Sequence, residues 1–436
     1  MPYKMFVTLL KYKTTRKIIL SLKKSQLMHK LVPTMNEWYE KDHIHQCGSI
    51  NLIGNRCLEN FKEISSLVPF NKPLIITGKT VAKLKTTSLV FDQLKKSKKN
   101  YVVFNGSKPN PSIETVNSII KAYNDNNCDA LITIGGGSPH DAAKAAGLLL
   151  SNSKRINKLQ GINVSKNAFK MPLICINTTA GSGSEASNIA VITDEHRQHK
   201  MTIVDKHCQP RATINDSQMM LDLPPETTAW TGIDALTHAV EAYLSIINNS
   251  MVKIYARRAM DIISEYLPIA YKTPSNSVAR EKMAYAEFLA GISFNSASLG
   301  FVHSMSHALS GMFNTPHGLA NAILLPYVLD YELKNKKIGL MLGEISDHMN
   351  FANLDADWYH KAQTCVKHII EFTRSLGTPK TLNEIQKDIT PLQVKKLSLK
   401  AMKDFCGISN PIQLSKKQVM HIYRNAITGT FDNLSK

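Results

Sequence analysis

At 436 residues, 43% hydrophobic and 20% charged, the chain has the composition of a soluble globular protein large enough for two domains. No apolar run is long enough to span a bilayer, and the seven scattered cysteines, odd in number and without CxxC spacing, argue for reduced thiols in a cytoplasm rather than disulfides or a thiolate metal site. The net charge of +19 suits anionic cofactors; a nucleic-acid-binding role is the remote alternative, without an aromatic-interleaved basic stretch or zinc-finger spacing to support it.

Residues 1–36 carry eight Lys or Arg before the first carboxylate, Glu37. The segment 1–44 reads as a basic extension, dispensable or disordered, and not as a secretory signal, because no compact apolar core ends in a small-residue cleavage site. From residue 45 to 222 strands alternate with helices. KPLIITG (Lys72–Gly78), YVVFNG (Tyr101–Gly106), DALITIGGGS (Asp129–Ser138) and PLICIN (Pro172–Asn177) are short apolar runs, most of them ending in glycine or a polar turn. Helical patterns separate the first three, one of them opening at Ser112 as N-cap. This order predicts a parallel, doubly wound α/β sheet. Gly135-Gly136-Gly137-Ser138 enters a helix whose positive end suits a phosphate. Pro139 is placed at the first helical position, and Ser138 and Asp141 have capping-box spacing. A second loop, TTAGSGSEAS, offers the hydroxyls of Thr178, Thr179, Ser182 and Ser184 at a strand end, where ligands bind in such sheets. NIAVITD and HKMTIVD read as a strand pair, with Lys200 facing either a phosphate or solvent.

From residue 223 to 436 helical patterns take over, with helices expected over Asp234–Ser245, Met251–Tyr266, Ala279–Ser293, His360–Ser375 and Lys416–Thr428. In TGIDALTHAVEAYLS, Asp234 and His238 are four apart and share a helix face; so do His303 and His307 in FVHSMSHALSGMFNTPHGLANAILLP. Pro316 ends or bends that helix, Gly318 is expected to ease the turn, and His317 lies between them. A lone buried histidine is usually a core residue bonded to a carbonyl. Two such pairs favour a divalent ion, for which one carboxylate and imidazoles suit Fe(II) or Zn(II) with a position left open.

GGGSPHDAAKAAG, TTAGSGSEAS, TGIDALTHAVEAYLS and the His303–His317 block, in this order, resemble the iron-dependent (group III) alcohol dehydrogenase family across residues 45–436. The last block is most similar to lactaldehyde reductase and related bacterial short-chain alcohol dehydrogenases. The resemblance implies an N-terminal dinucleotide-binding domain, an all-α C-terminal domain and a homodimer or larger homo-oligomer. It also implies reversible hydride transfer between a primary alcohol and NAD(P)+. By the same resemblance Asp234, His238, His303 and His317 match the metal ligands, and His307 a histidine near the substrate; because an imidazole titrates near working pH, His307 is the candidate proton shuttle. Gly136, Gly137, Ser138, Asp141, Thr178, Thr179, Ser182, Lys200 and Asn110 match cofactor contacts. Asn177, Ser182 and Ser310 stand where relatives usually carry Pro, Thr and Gly. Gly78 stands where NAD-preferring relatives often carry Asp; with Lys79 beside it, NADP(H) is favoured over NAD(H). The alternatives within the superfamily are dehydroquinate synthase-like and glycerol-dehydrogenase-like enzymes.

Overall fold

The structure, a computed structural model, describes residues 49–152, 155–197, 199–349, 351 and 355–434. The basic extension and Cys47 lie outside these residues. The chain forms two compact units. One runs to Thr178 and includes Ser184–Met219; the other joins Thr179–Gly183 to the chain from Met220 onward. The expected boundary at residue 222 therefore meets a division after Met219, and five residues of the hydroxyl-rich loop group with the helical unit.

The first unit is built on six strands: β1 (Ile50–Gly54), β2 (Pro73–Gly78), β3 (Val102–Ser107), β4 (Ala130–Gly135), β6 (Leu173–Asn177) and β9 (Ala212–Asp216). They lie in the order β1-β9-β6-β4-β2-β3, every pair parallel. Helices α1 (Phe61–Leu67), α2 (Lys85–Lys96), α3 (Ile113–Asp125) and α4 (Gly137–Ser151) are the crossovers. Covered on both faces, β4, β6 and β9 are buried throughout, which is why they read as continuous apolar runs. The short β5 (Gly161–Ile162) joins β8 (His199–Val204) and β7 (Ile189–Asp194); the last two form the strand pair expected from their sequence, and it is antiparallel. Ser112 caps α3, accepting from the Thr115 N–H at 3.3 Å.

The start of α4 differs from expectation. Gly137 is already helical and Gly136 is the N-cap, so Pro139 is the third helical residue and Ser138 caps nothing. The chain turns two residues early because Gly135 adopts φ +155°, where an added Cβ would lie 2.5 Å from the Pro139 ring. Asp141 is drawn elsewhere: its carboxylate accepts from the Ser184 hydroxyl at 2.6 Å and the Val191 N–H at 2.9 Å. Buried Lys144 ties α4 to the same segment, donating to the carbonyls of Ser184, Ser187 and Ile189 at 2.5, 2.8 and 2.8 Å.

The second unit is helical: α5 (Pro225–Leu244), α6 (Ser250–Lys272), α7 (Ser277–Ala297), α8 (Phe301–Phe313), α9 (His317–Glu332), α10 (Lys336–His348), α11 (Trp358–Ser375), α12 (Pro391–Ala401) and α13 (Lys416–Thr428). Asn314, at φ +54°, ends α8, and Pro316 is the N-cap of α9, so His317 opens a new helix. Gly318 does not ease a turn; it lies in the first turn of α9, where a Cβ would come 2.4 Å from the Trp230 carbonyl oxygen of α5. Absence of a side chain there lets two helix backbones approach, and this sets His317 beside α5.

Candidate metal centre and cofactor loops

Three helix segments of the second unit supply the histidine-rich site. On α5, Asp234, His238 and Glu241 stand at i, i+4 and i+7, one face of a helix otherwise packed with apolar side chains. Helix α8 contributes His303 and His307, and the first turn of α9 contributes His317 and, four residues on, Asn321. The Nε2 atoms of His303 and His317 both lie 3.7 Å from Asp234 Oδ1, and that of His238 lies at 3.9 Å. Asp234, His238 and His303 thus offer one donor atom each within 4.8 Å of one another, and His317 Nε2 lies against the same Asp234 oxygen. Asp234, His238 and His303 are almost wholly buried, while the His317 side chain is 26% exposed.

The outer ring atoms decide which nitrogens face inward. His238 Nδ1 donates to the Gly181 carbonyl at 3.1 Å, and Gly181 lies so close to α5 that a Cβ would meet Thr231 at 2.5 Å. His303 Nδ1 donates to Glu241 Oε2 at 2.6 Å, while Glu241 Oε1 accepts the Val302 N–H at 2.7 Å. The Asn410 carbonyl oxygen takes the adjacent Phe301 N–H at 2.9 Å, so the start of α8 is capped by side chains from two other segments. Gly300 makes room for both caps: a Cβ there would lie 2.4 Å from Asn410 and 2.7 Å from Glu241. His307 Nδ1 lies 3.0 Å from Asp404 Oδ2, which leaves its Nε2 turned away from that carboxylate. The Glu287 carboxylate accepts the Gly183 N–H at 2.6 Å and pins the five-residue loop to α7.

Electrostatics follow from burial and proximity. Burial, reinforced by the neighbouring His303 and His307 and opposed by Asp234, pushes His238 down to about 4. Burial would also raise the Asp234 carboxyl, but His238, His317 and His303 outweigh it and hold it below the usual carboxylate range. For His303 burial is overcome by Glu241 and Asp234, which lift the imidazole to about 9. A divalent ion held here would compete with that proton, and Asp234, His238, His303 and His317 would be the residues to hold it. One carboxylate oxygen and three inward imidazole nitrogens are a donor set that such an ion fits.

In the first unit, parallel register sets the ends of β2, β4 and β6 on one edge, with Thr77 beside Ile134 and Gly135 beside Asn177. Gly78 ends β2, Gly136, Gly137, Ser138 and Thr178 follow the ends of β4 and β6, and Asn110, at φ +54°, lies in the loop after β3. No side chain caps α4. Asp141, by contrast, has both oxygens occupied within the unit; burial raises its carboxyl against the pull of Lys144 and Lys200. Lys200 is buried in β8 opposite Thr193 rather than solvated. Thr179 and Ser182 belong with the helical unit. His140, within the same glycine motif, is buried against the Thr133 hydroxyl at 2.6 Å and pushed by burial down to about 3, a neutral core histidine.

Residues 49–217 match the iron-containing alcohol dehydrogenase family, and residues 228–427 match the C-terminal part of the Fe-containing alcohol dehydrogenase family. Alcohol dehydrogenase 4 of Saccharomyces cerevisiae is 37% identical over 377 residues, covering 86% of this chain and 96% of that one. The chain belongs to the iron-containing alcohol dehydrogenase family. Lactaldehyde reductase of Escherichia coli is 31% identical over 364 residues, 82% of this chain and 92% of the relative. The solved structure of a 1,3-propanediol oxidoreductase superposes with a TM-score of 0.85 at 32% identity, over 88% of this chain and all of that one. This iron-containing alcohol dehydrogenase is thus a metal-dependent alcohol or aldehyde oxidoreductase with the family's two-part α/β and helical fold. No helix among the described residues is long and apolar enough to cross a membrane.

Glu241, Asp404 and Asn321 were not anticipated from sequence. Glu241 had a signal, an acid seven residues after Asp234 on the same face of an apolar helix. Asn321 had a similar one, four residues after His317. Asp404 had none, being 97 residues from its partner.

Proposed function

We propose that this chain transfers a hydride between a short primary alcohol or its aldehyde and NADP(H), with Asp234, His238, His303 and His317 as the ligands of a divalent ion. The convergence of three Nε2 atoms on one buried carboxylate oxygen carries the reading. Fe2+ is the resident ion we favour, and Zn2+ suits the same donors. Such an ion, when bound, supplies Lewis acidity toward the substrate oxygen. The protein's own contribution is to fix the imidazoles: Gly181 and Glu241 hold the outer nitrogens so that the inner ones keep their lone pairs.

His307 is assigned the proton. Asp404 accepts from its Nδ1, so Nε2 is the atom left to accept or release a proton near the substrate oxygen. His307→Ala is expected to lower kcat about 100-fold or more while the metal content stays at wild type, as read by elemental analysis beside steady-state kinetics. Unchanged turnover would reduce His307 to a wall of the pocket.

For the cofactor, we assign Gly78, Asn110, Gly136, Gly137, Ser138 and Thr178 to a dinucleotide's phosphates and ribose; the uncapped start of α4 and the position of these residues at or after the ends of β2, β3, β4 and β6 support the reading. Thr179, Ser182 and Lys200 complete the proposed set, and Asp141 acts by shaping the loop through Ser184 and Val191. Absence of an acid at Gly78 and the exposed cation of Lys79 favour a 2′-phosphate. NADPH is expected to outperform NADH in kcat/KM, and Lys79→Ala to erode that preference roughly tenfold, the worth of one charge-assisted hydrogen bond. A strong NADH preference in the wild type overturns the NADP(H) assignment. The six described cysteines are buried free thiols, which supports a reducing compartment such as the cytoplasm.

A further inference from the structure

One corner of the six-stranded sheet carries cations that no nearby acid answers. The loop after β2, residues 78–84, holds Lys79 and Lys83; the loop after β3, residues 107–112, holds Lys108; neither contains an aspartate or glutamate. Lys79 and Lys108 are exposed, and neither side chain has an ion-pair or hydrogen-bond partner among the described residues. Beside them is a buried donor. Ser107, the last residue of β3, is 7% exposed and pairs in register with Gly78, the last residue of β2. Its hydroxyl has no hydrogen-bond partner among the described residues. A buried hydroxyl left unpaired is costly and uncommon. The position opposite offers no side chain to pair with, and the strand ends are close: a Cβ on Gly78 would lie 3.1 Å from the Ser107 carbonyl oxygen.

We propose, resting on the NADP(H) reading above, that Ser107 and Lys108 form the β3 side of a pocket for the ribose 2′-phosphate, with Gly78 and Lys79 as its β2 side. A phosphate monoester carries a charge of about −1.5 to −2 at pH 7 and three strong acceptor oxygens. The Ser107 hydroxyl supplies one donor, and each ammonium group supplies charge and up to three donors. An aspartate at 78 would accept from Ser107 itself and repel the phosphate, whereas glycine leaves the hydroxyl to the ligand. Solvated surface lysines would account for Lys79 and Lys108 but not for a buried, unpaired serine between the two strand ends.

Both loops are fixed before any ligand arrives. The Thr193 N–H donates to the Pro111 carbonyl at 2.8 Å, and the Ser112 hydroxyl caps α3, so the β3 loop is tied down at its far end. In the β2 loop the Thr87 hydroxyl donates to the Val81 carbonyl at 2.6 Å. Each lysine therefore leaves an ordered backbone, and binding has chiefly side-chain freedom to remove.

The test is calorimetric titration of the full-length protein with NADPH and NADH, and with adenosine 2′,5′-bisphosphate and adenosine 5′-monophosphate, which isolate the phosphate from the nicotinamide. Wild type is expected to favour NADPH and the bisphosphate. Ser107→Ala and Lys108→Ala are each expected to lower the NADPH-to-NADH affinity ratio about tenfold, the worth of one charge-assisted hydrogen bond, and to weaken the bisphosphate by a similar factor. Lys108→Arg keeps the charge and should retain most of the ratio. If Ser107→Ala fails to fold, the exposed Lys108→Ala decides. The proposal is overturned if wild type prefers NADPH but the ratio stays at the wild-type value in both alanine variants, or if both cofactors weaken equally, which would make the β3 end a structural element and leave Lys79 to act alone. Wild type that binds NADH as tightly as NADPH overturns the NADP(H) reading itself, a distinct result.

Discussion

Replacing Asp234 by asparagine is expected to yield a folded protein that no longer retains a divalent ion and whose kcat/KM falls by roughly 10³-fold or more, since such an ion contributes several kcal/mol to the barrier. The carboxylate is the sole negative ligand of the proposed set, and all three imidazole nitrogens are grouped about its Oδ1 at 3.7–3.9 Å. Asparagine has the same shape, so the packing of α5 is preserved. What changes is charge: the three imidazoles lose the group that draws a cation among them. Elemental analysis should show metal in the wild type and little in the variant. Added Fe2+ or Zn2+ should raise the thermal midpoint of the wild type alone, because only a state that binds the ion is stabilised by it. Chelation of the wild type should reproduce the variant's rate. Full activity in a metal-free Asp234→Asn protein would remove the basis of the proposed chemistry.

Much of the first unit was legible because its determinants are local. β2, β4 and β6 are buried on both faces, so each is an apolar run ended by glycine or asparagine. Ser112 announces α3 by a hydroxyl that reaches the third N–H. Helices were legible where one face is apolar, but not at their ends: α5 begins at Pro225, nine residues before the expected start, because Pro225 and Glu226 form its first turn ahead of the apolar face that carries Asp234. Helix α6 runs through Pro268 to Lys272, past the Tyr266 end that its apolar spacing suggests. The ligand pairs Asp234/His238 and His303/His307 could be seen because helical spacing brings them together within one element. Asp404 and Asn410 could not, since they reach α8 from a loop about a hundred residues later, and nothing in their own neighbourhood marks them. The early start of α4 was hidden for a related reason. A Ser-x-x-Asp spacing looks like a cap, but Asp141 is claimed by Ser184 and Val191, which the fold brings in from 43 and 50 residues away.

Glu241→Gln is expected to cost about 10–100-fold in metal affinity, although glutamine is nearly the same size and Glu241 reaches the proposed ion only through His303. The carboxylate is placed where only acceptors serve: Oε1 takes the Val302 N–H at 2.7 Å and Oε2 the His303 Nδ1–H at 2.6 Å. Glutamine offers one acceptor and one donor, so one of the two contacts must fail. If its –NH2 faces Val302, a backbone N–H at the start of α8 is left buried and unpaired, at about 1–3 kcal/mol. If it faces His303, the imidazole must accept at Nδ1 and carry its proton on Nε2, aimed at Asp234, where the lone pair is required. The first outcome lowers the thermal midpoint, the second lowers affinity most, and the tautomer can be read from the ring nitrogens by 15N NMR of the metal-free protein. Glu241→Asp preserves charge but falls one methylene short of α8, and should lose affinity without the change of tautomer. Affinity and midpoint both unchanged in Glu241→Gln would show that His303 is held by packing alone and that the buried carboxylate is dispensable to the site.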